Sequence, residues 1–162
     1  MELTGYKKEL DRKETEVMNR FKGEYSPYEF LIKSENGKDM AIRLFSKNFN
    51  YISKEMDRIF LLLDLDDKDV DTLLKKIETC LNSKCAGEKF SIKNKKIKEN
   101  TKFYLFENEV ENLKFYTIFF KKSLEKQAEI KDKESKESKE KKIKELAKQK
   151  EFLDILDLFN KQ

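Results

Sequence analysis

Residues that end regular secondary structure are scarce in this chain of 162 residues, which contains four Gly and one Pro. Glycine and proline interrupt helices and strands because glycine adopts unusual backbone angles freely and proline lacks an amide hydrogen. Neither occurs between Asn108 and Gln162. Lys, Glu and Leu, which are strong helix formers, are abundant. The sequence therefore predicts a mainly α fold, a bundle of four to six helices with a long charged C-terminal helical arm.

The spacing of apolar residues predicts where these helices lie. Residues 3–22 carry apolar side chains at helical spacing, and Gly23 ends the pattern. A longer pattern over 39–63 predicts the central core helix. Further patterns predict a helix over 70–85 and a long helix that begins at Asn108.

Two segments leave a β alternative open. Residues 26–36 begin with Ser-Pro-Tyr-Glu, a capping box that predicts a helix ending at Asn36-Gly37. Asn-Gly between apolar residues is also a strong hairpin signal, so a hairpin at 28–45 is the alternative. In 88–106, apolar and polar residues alternate, which fits a small β element or an irregular basic loop.

The composition divides the chain into three parts. Residues 1–125 contain most of the apolar side chains and are predicted to form the core domain. Residues 126–142 form a charged spacer, since 131–140 consist only of charged residues and Ser and cannot bury a face. Residues 143–162 predict an amphipathic C-terminal helix.

Charge is segregated along the chain, although the totals of 36 basic and 32 acidic residues nearly balance. Residues 86–105 carry six Lys against two Glu, and 121–150 carry twelve Lys against seven acids. Residues 54–80 carry five basic against eight acidic side chains. Basic patches of this kind suit a nucleic-acid partner, because lysine contacts phosphate and nearby aromatic rings such as Phe90 and Phe103 can stack on bases. The candidate nucleic-acid-binding residues are Lys89, Lys93, Lys95, Lys96, Lys98, Lys102 and Tyr104.

The C-terminal helix is the candidate protein-binding segment, because its apolar face follows the charged spacer. It folds back onto the core, dimerises, or inserts into a groove on another protein. The residues of that face are Ile143, Leu146, Leu153, Leu156 and Phe159.

The chain lacks the residues that catalytic and metal-binding sites most often use. Without His the chain lacks the commonest general base and metal ligand, and its isolated glycines form no phosphate-binding loop. Two Cys alone complete no zinc site. Asp67, Asp69, Asp71 and Glu78 have the spacing of a calcium loop, but Thr72 stands where the loop requires Gly. The sequence predicts no enzyme, no cofactor and no bound metal.

A cytoplasmic interaction protein fits these observations best. The chain shows no secretory signal pattern, and its longest apolar run, 59–63, is too short to span a bilayer. We expect a non-catalytic helical subunit or accessory factor of a nucleoprotein assembly, and thus a larger macromolecular complex as partner. The alternative is a protein-binding modulator, such as a phage or plasmid inhibitor of a host system or a helical chaperone. Its contacts would come from the acidic 54–71 region and the terminal helix.

Overall fold

The fold is mixed α/β, and the prediction of a mainly α helical bundle is wrong. Two compact units divide the chain, Met1–Phe45 and Ser46–Gln162. In this computed structural model the described residues are 6–9, 30–33, 37–56, 58–84, 89–111 and 113–160.

In the first unit, strand β1 (Tyr6–Glu9) pairs in parallel with strand β2 (Phe30–Lys33). The helix expected over 3–22 is therefore wrong at Tyr6–Glu9, and its remaining residues lie outside the described ranges. The strand at Phe30–Lys33 likewise replaces the helix expected over 26–36.

Helix α1 (Lys38–Glu55) begins directly after Gly37. The Gly37 carbonyl accepts a hydrogen bond from the amide of Ala41 at 3.2 Å, and Gly37 has a φ of 93°. That φ lies where only glycine is unstrained, which explains why glycine stands here. Asn36-Gly37 thus precedes a helix, and the hairpin considered at 28–45 does not form.

The second unit contains a four-stranded sheet in the order β3-β6-β5-β4. Strand β3 is parallel to β6, and the other neighbouring pairs are antiparallel. Its elements after α1 are β3 (Phe60–Asp64), α2 (Val70–Lys84), β4 (Lys93–Glu99), β5 (Phe103–Val110), β6 (Leu113–Phe120), α3 (Leu124–Gln127), α4 (Lys136–Ala147) and α5 (Lys150–Asn160).

Two segments predicted as helix are strands of this sheet. The end of the expected central helix is β3, and the start of the expected long C-terminal helix covers the end of β5 and all of β6. Strand β6 is buried on both faces, whereas β3 buries Leu61 and Leu63 and leaves Leu62 45% exposed. In both segments the apolar run is too short to distinguish a strand from a buried helix. Aromatic and β-branched residues in the Leu113–Phe120 segment favour the strand.

The centre of the sheet, along β6, is buried on both faces. On one face, strand residues Phe103, Leu105, Ile118 and Phe120 form a cluster with residues of α4 and α5, namely Leu146, Phe152 and Ile155. On the other face, Phe115 meets the ring of Phe49 edge to face, with 5.9 Å between ring centroids. The helices α4 and α5 therefore pack on the sheet and complete its core.

Helix α2 lies where the apolar spacing predicted it. Leu73, Ile77 and Leu81 are fully buried. Asp69 caps its first turn, since one carboxylate oxygen accepts from the Thr72 amide at 2.7 Å and the other from the Thr72 hydroxyl at 2.8 Å. Over the part of the chain that the structure describes, no helix is long and apolar enough to cross a membrane.

Candidate nucleic-acid interface

Strand β4 carries four of the predicted lysines on an edge of the sheet. It pairs with β5, and most of its side chains are exposed. Lys93, Lys95, Lys96 and Lys98 lie on this strand. Lysines on an edge strand hinder pairing with other chains, and they also present positive charge to a ligand.

The lysines of β4 lie on both faces of the sheet, and a bulge sets the face of Lys98. The register with β5 shifts between Lys96 and Lys98. Side chains normally alternate along a strand, so the extra residue, Ile97, places Lys96 and Lys98 on opposite faces. Positive charge therefore surrounds the β4 edge instead of lying on one side of it.

Three β4 lysines form ion pairs with carboxylates. Lys93 lies 3.8 Å from Glu109. Lys96 lies 2.8 Å from Glu99, and Lys98 lies 2.6 Å from Asp154 of α5. These pairs are partly exposed, where ion pairs contribute little free energy, so phosphate groups can compete for the lysines.

A second group of lysines lies against the end of β4. The amide of Lys121 donates to the Lys102 carbonyl at 2.9 Å. The side-chain amide of Gln127 donates to the carbonyl of Lys102 at 3.4 Å and to that of Lys122 at 2.7 Å. These bonds hold the turn before β5 beside the segment after β6.

Glu99 joins the two groups. Its carboxylate accepts hydrogen bonds from Lys96 at 2.8 Å and from Lys121 at 3.0 Å. The hydrogen bonds from Lys96 and then Lys121 lower the pKa of Glu99 below its usual value. Partial burial acts to lower the pKa of Lys121, but its hydrogen bond to Glu99 and the nearby Tyr104 raise it overall. Both groups are therefore charged at neutral pH.

We call this region the basic surface. Four of its lysines have no carboxylate partner among the described residues, namely Lys95, Lys102, Lys122 and Lys126. The full set is Lys93, Lys95, Lys96, Lys98, Lys102, Lys121, Lys122 and Lys126. Sequence reasoning missed the last three of these, because only the antiparallel pairing of Phe103 with Phe120 brings 102 beside 121. The excess of lysine in 121–150 was visible, but nothing in the sequence linked it to 89–102.

Two of the aromatic side chains expected to stack on bases, Phe103 and Tyr104, are already in contact with the protein. Phe103 is fully buried in the core, so its expected availability for bases is wrong. The Nζ of Lys121 lies 4.3 Å from the centre of the Tyr104 ring, a cation–π contact. Lys89 is exposed and lies outside β4, near Phe90, whose backbone carbonyl accepts from the side chain of Asn82.

The predicted protein-binding residues do not share one surface. Leu146 is buried in the cluster beneath α4 and α5. Ile143 and Leu153 are exposed, at 38% and 45% of their surface. The side chains of Leu156 and Phe159 lie outside the described residues. The outer surface of α4 is mixed in charge: a shallow depression there is lined by Glu137, Glu140, Lys141, Lys144, Glu145 and Lys148.

The acidic run has a structural role. Asp69 caps α2, and hydrogen bonds first from the amide and then from the hydroxyl of Thr72 lower the pKa of its carboxyl. Within the described ranges, no group of three or more Cys, Asp or Glu side chains has the geometry to hold a metal ion.

Comparison of the chain with protein-family models, with curated proteins and with solved structures gives no match. Its function is therefore inferred from its own residues.

Proposed function

We propose that this protein is a cytoplasmic, non-catalytic component of a nucleoprotein assembly that binds the phosphate backbone of nucleic acid through the basic surface. The observation that carries this proposal is the meeting of two lysine groups where β4 ends, since Lys96 and Lys98 lie at the same end of the sheet as the segments 102 and 121–126. Lysines arranged in this way release counterions when they meet phosphate, which is the main source of sequence-independent affinity for nucleic acid.

Four unpartnered lysines set the expected strength of the salt effect. If each contacts one phosphate of a duplex, affinity falls about 150-fold between about 50 mM and about 200 mM salt. The ion-paired lysines add to this effect where phosphate displaces their carboxylates. A protein partner that binds through apolar contacts would show a much weaker dependence on salt.

The test is fluorescence anisotropy with a labelled DNA duplex of about 20 base pairs at several salt concentrations. A triple variant, Lys102→Gln, Lys122→Gln and Lys126→Gln, should bind at least about tenfold more weakly and reduce the salt slope by about three. The matched control is Lys141→Gln, Lys144→Gln and Lys148→Gln on the outer surface of α4, where glutamates lie between the lysines.

The control variant removes the same net charge and should keep the wild-type salt slope. An equal loss of affinity for the duplex in both triple variants would mean that net charge alone drives binding, and would contradict the proposal. Absence of binding at low salt would also overturn it, and would favour the protein-binding modulator with exposed Ile143 and Leu153 as its first contact candidates.

A further inference from the structure

We infer that the basic surface selects double-stranded over single-stranded nucleic acid and contacts phosphates without stacking on bases. This inference rests on the proposed function and adds the class of nucleic acid. It follows from two features of the surface, the state of its aromatic rings and the spacing of its charges.

Among the described residues of the 89–127 region, no aromatic ring is fully exposed: Phe103, Phe115, Phe119 and Phe120 are buried, and Phe90, Tyr104, Phe106 and Tyr116 are half-buried. Phe106 packs edge to face against Phe119, with 5.9 Å between ring centroids. Tyr116 stacks on Phe60 at 5.2 Å. Proteins that bind single strands without sequence preference combine a basic groove with open aromatic rings, each worth about 1–3 kcal/mol per stacked base. The basic surface has the lysines but lacks the open aromatic rings.

Tyr104 is the ring nearest to the lysines, and it is occupied. Lys121 lies over it, with 4.3 Å from Nζ to the ring centre, and Glu99 holds the same Nζ at 3.0 Å. A base that stacked on this face would have to displace a cation fixed by a carboxylate. The arrangement uses the aromatic ring to position a charge, which is then presented to solvent beside Lys102 and Lys122.

Lysine-only binding favours the form of nucleic acid with the higher charge density. A duplex carries one negative charge per about 1.7 Å of its axis, about twice the density of one of its strands. Strand β4 has seven residues and extends over about 20 Å, so its lysines span several phosphates. Counterion release per contact is also larger for a duplex, with a slope of about 0.9 per phosphate against about 0.7 for a single strand.

Three probes with equal phosphate number per strand test the inference on the unmodified full chain. They are a DNA duplex of about 20 base pairs, one of its strands, and an abasic strand of the same length. The duplex should bind about threefold to tenfold more tightly at about 50 mM salt. Its affinity should fall about 150-fold by about 200 mM salt, against about 50-fold for the single strand. The abasic strand should bind as tightly as the strand that carries bases, within about twofold.

The outcomes separate this inference from the proposed function. A single strand that binds more tightly than the duplex, or that loses affinity when its bases are removed, would overturn the inference and leave phosphate binding in place. Failure of all three probes to bind at low salt would overturn the proposed function and this inference with it.

Discussion

The ammonium group of Lys121 lies 3.0 Å from the carboxylate of Glu99, inside the surface where we expect phosphate to bind. The same carboxylate lies 2.8 Å from Lys96. Glu99 therefore has two opposing effects. It fixes the positions of two lysines, and it neutralises part of the charge that they present.

Glu99→Gln should strengthen binding to duplex DNA. The amide keeps the size of the side chain but removes a negative charge from between two lysines, which then meet phosphate unopposed. We expect about a threefold to tenfold increase in affinity at low salt, measured by anisotropy. The control is Glu137→Gln, on the outer surface of α4, which removes the same charge outside the basic surface. An equal increase in both variants would show that net charge, and not the position of Glu99, sets the affinity.

Leu146→Ala should destabilise the second unit strongly. Leu146 is buried with Phe152 and Ile155 against strand residues of the sheet, and its truncation leaves a cavity that costs about 2–5 kcal/mol. Ile143→Ala, on the same helix, should cost less than about 1 kcal/mol because Ile143 is 38% exposed. Urea denaturation followed by circular dichroism measures both. If both variants lost only a similar, small amount of stability, α4 would not be anchored to the sheet through Leu146.

The sequence predicted helix α2 correctly, because an apolar stripe there follows a capping aspartate. The same kind of signal failed for the helix expected over 26–36, where Phe30–Lys33 is a strand. Helix α2 covers Val70–Lys84, close to the expected 70–85, and an aspartate begins it. The capping residue is Asp69. The β alternative at 88–106 is correct, since β4 and the start of β5 lie there.

The sheet as a whole was not predictable from local patterns. Its order places β3 beside β6, which are about fifty residues apart in the chain. Pairing at that distance leaves no signal in the spacing of either segment. The meeting of Lys102 with Lys121 depends on the pairing of β5 with β6, so Lys121, Lys122 and Lys126 were not recognised as part of the basic surface before the fold was known.

Glu111→Gly should stabilise the β5–β6 hairpin. Val110 pairs with Leu113 across a two-residue turn, and Glu111 has a φ of 49°. Such a turn requires positive φ, which costs a residue with a side chain about 1 kcal/mol and glycine almost nothing. Glycine also makes the unfolded chain more flexible, which offsets part of this effect. We therefore expect the free energy of unfolding to rise by about 0.5 kcal/mol. Glu109→Gly, inside β5, should instead lose about 0.5–1 kcal/mol. Denaturant midpoints measure both, and a loss in the first variant would contradict the turn geometry.

Glu134→Gln should remove stability that depends on pH. Lys142 donates to the Glu134 carboxylate at 2.7 Å and to the Glu129 carbonyl at 2.8 Å, which ties the start of α4 to its middle. Hydrogen bonds from Lys142, from the amide of Lys131 and from Ser138 lower the pKa of Glu134 to about 2. Because the folded-state pKa lies below the unfolded value, this carboxylate stabilises the fold fully above pH 4.5. The stabilisation is lost as pH falls through the folded-state pKa.

The measurement is the melting temperature of both proteins from neutral pH down to about pH 2. The wild type should melt at the higher temperature near neutral pH, and the difference should shrink steadily below pH 4.5. Glu145→Gln is the control, because Glu145 is exposed on α4 and its carboxylate accepts no hydrogen bond from the described residues. Its difference from wild type should change little with pH. The Glu134 carboxylate loses its stabilising effect when it gains a proton, because it then no longer pairs with Lys142. A difference in melting temperature between wild type and Glu134→Gln that grows on acidification would therefore contradict the lowered pKa of Glu134.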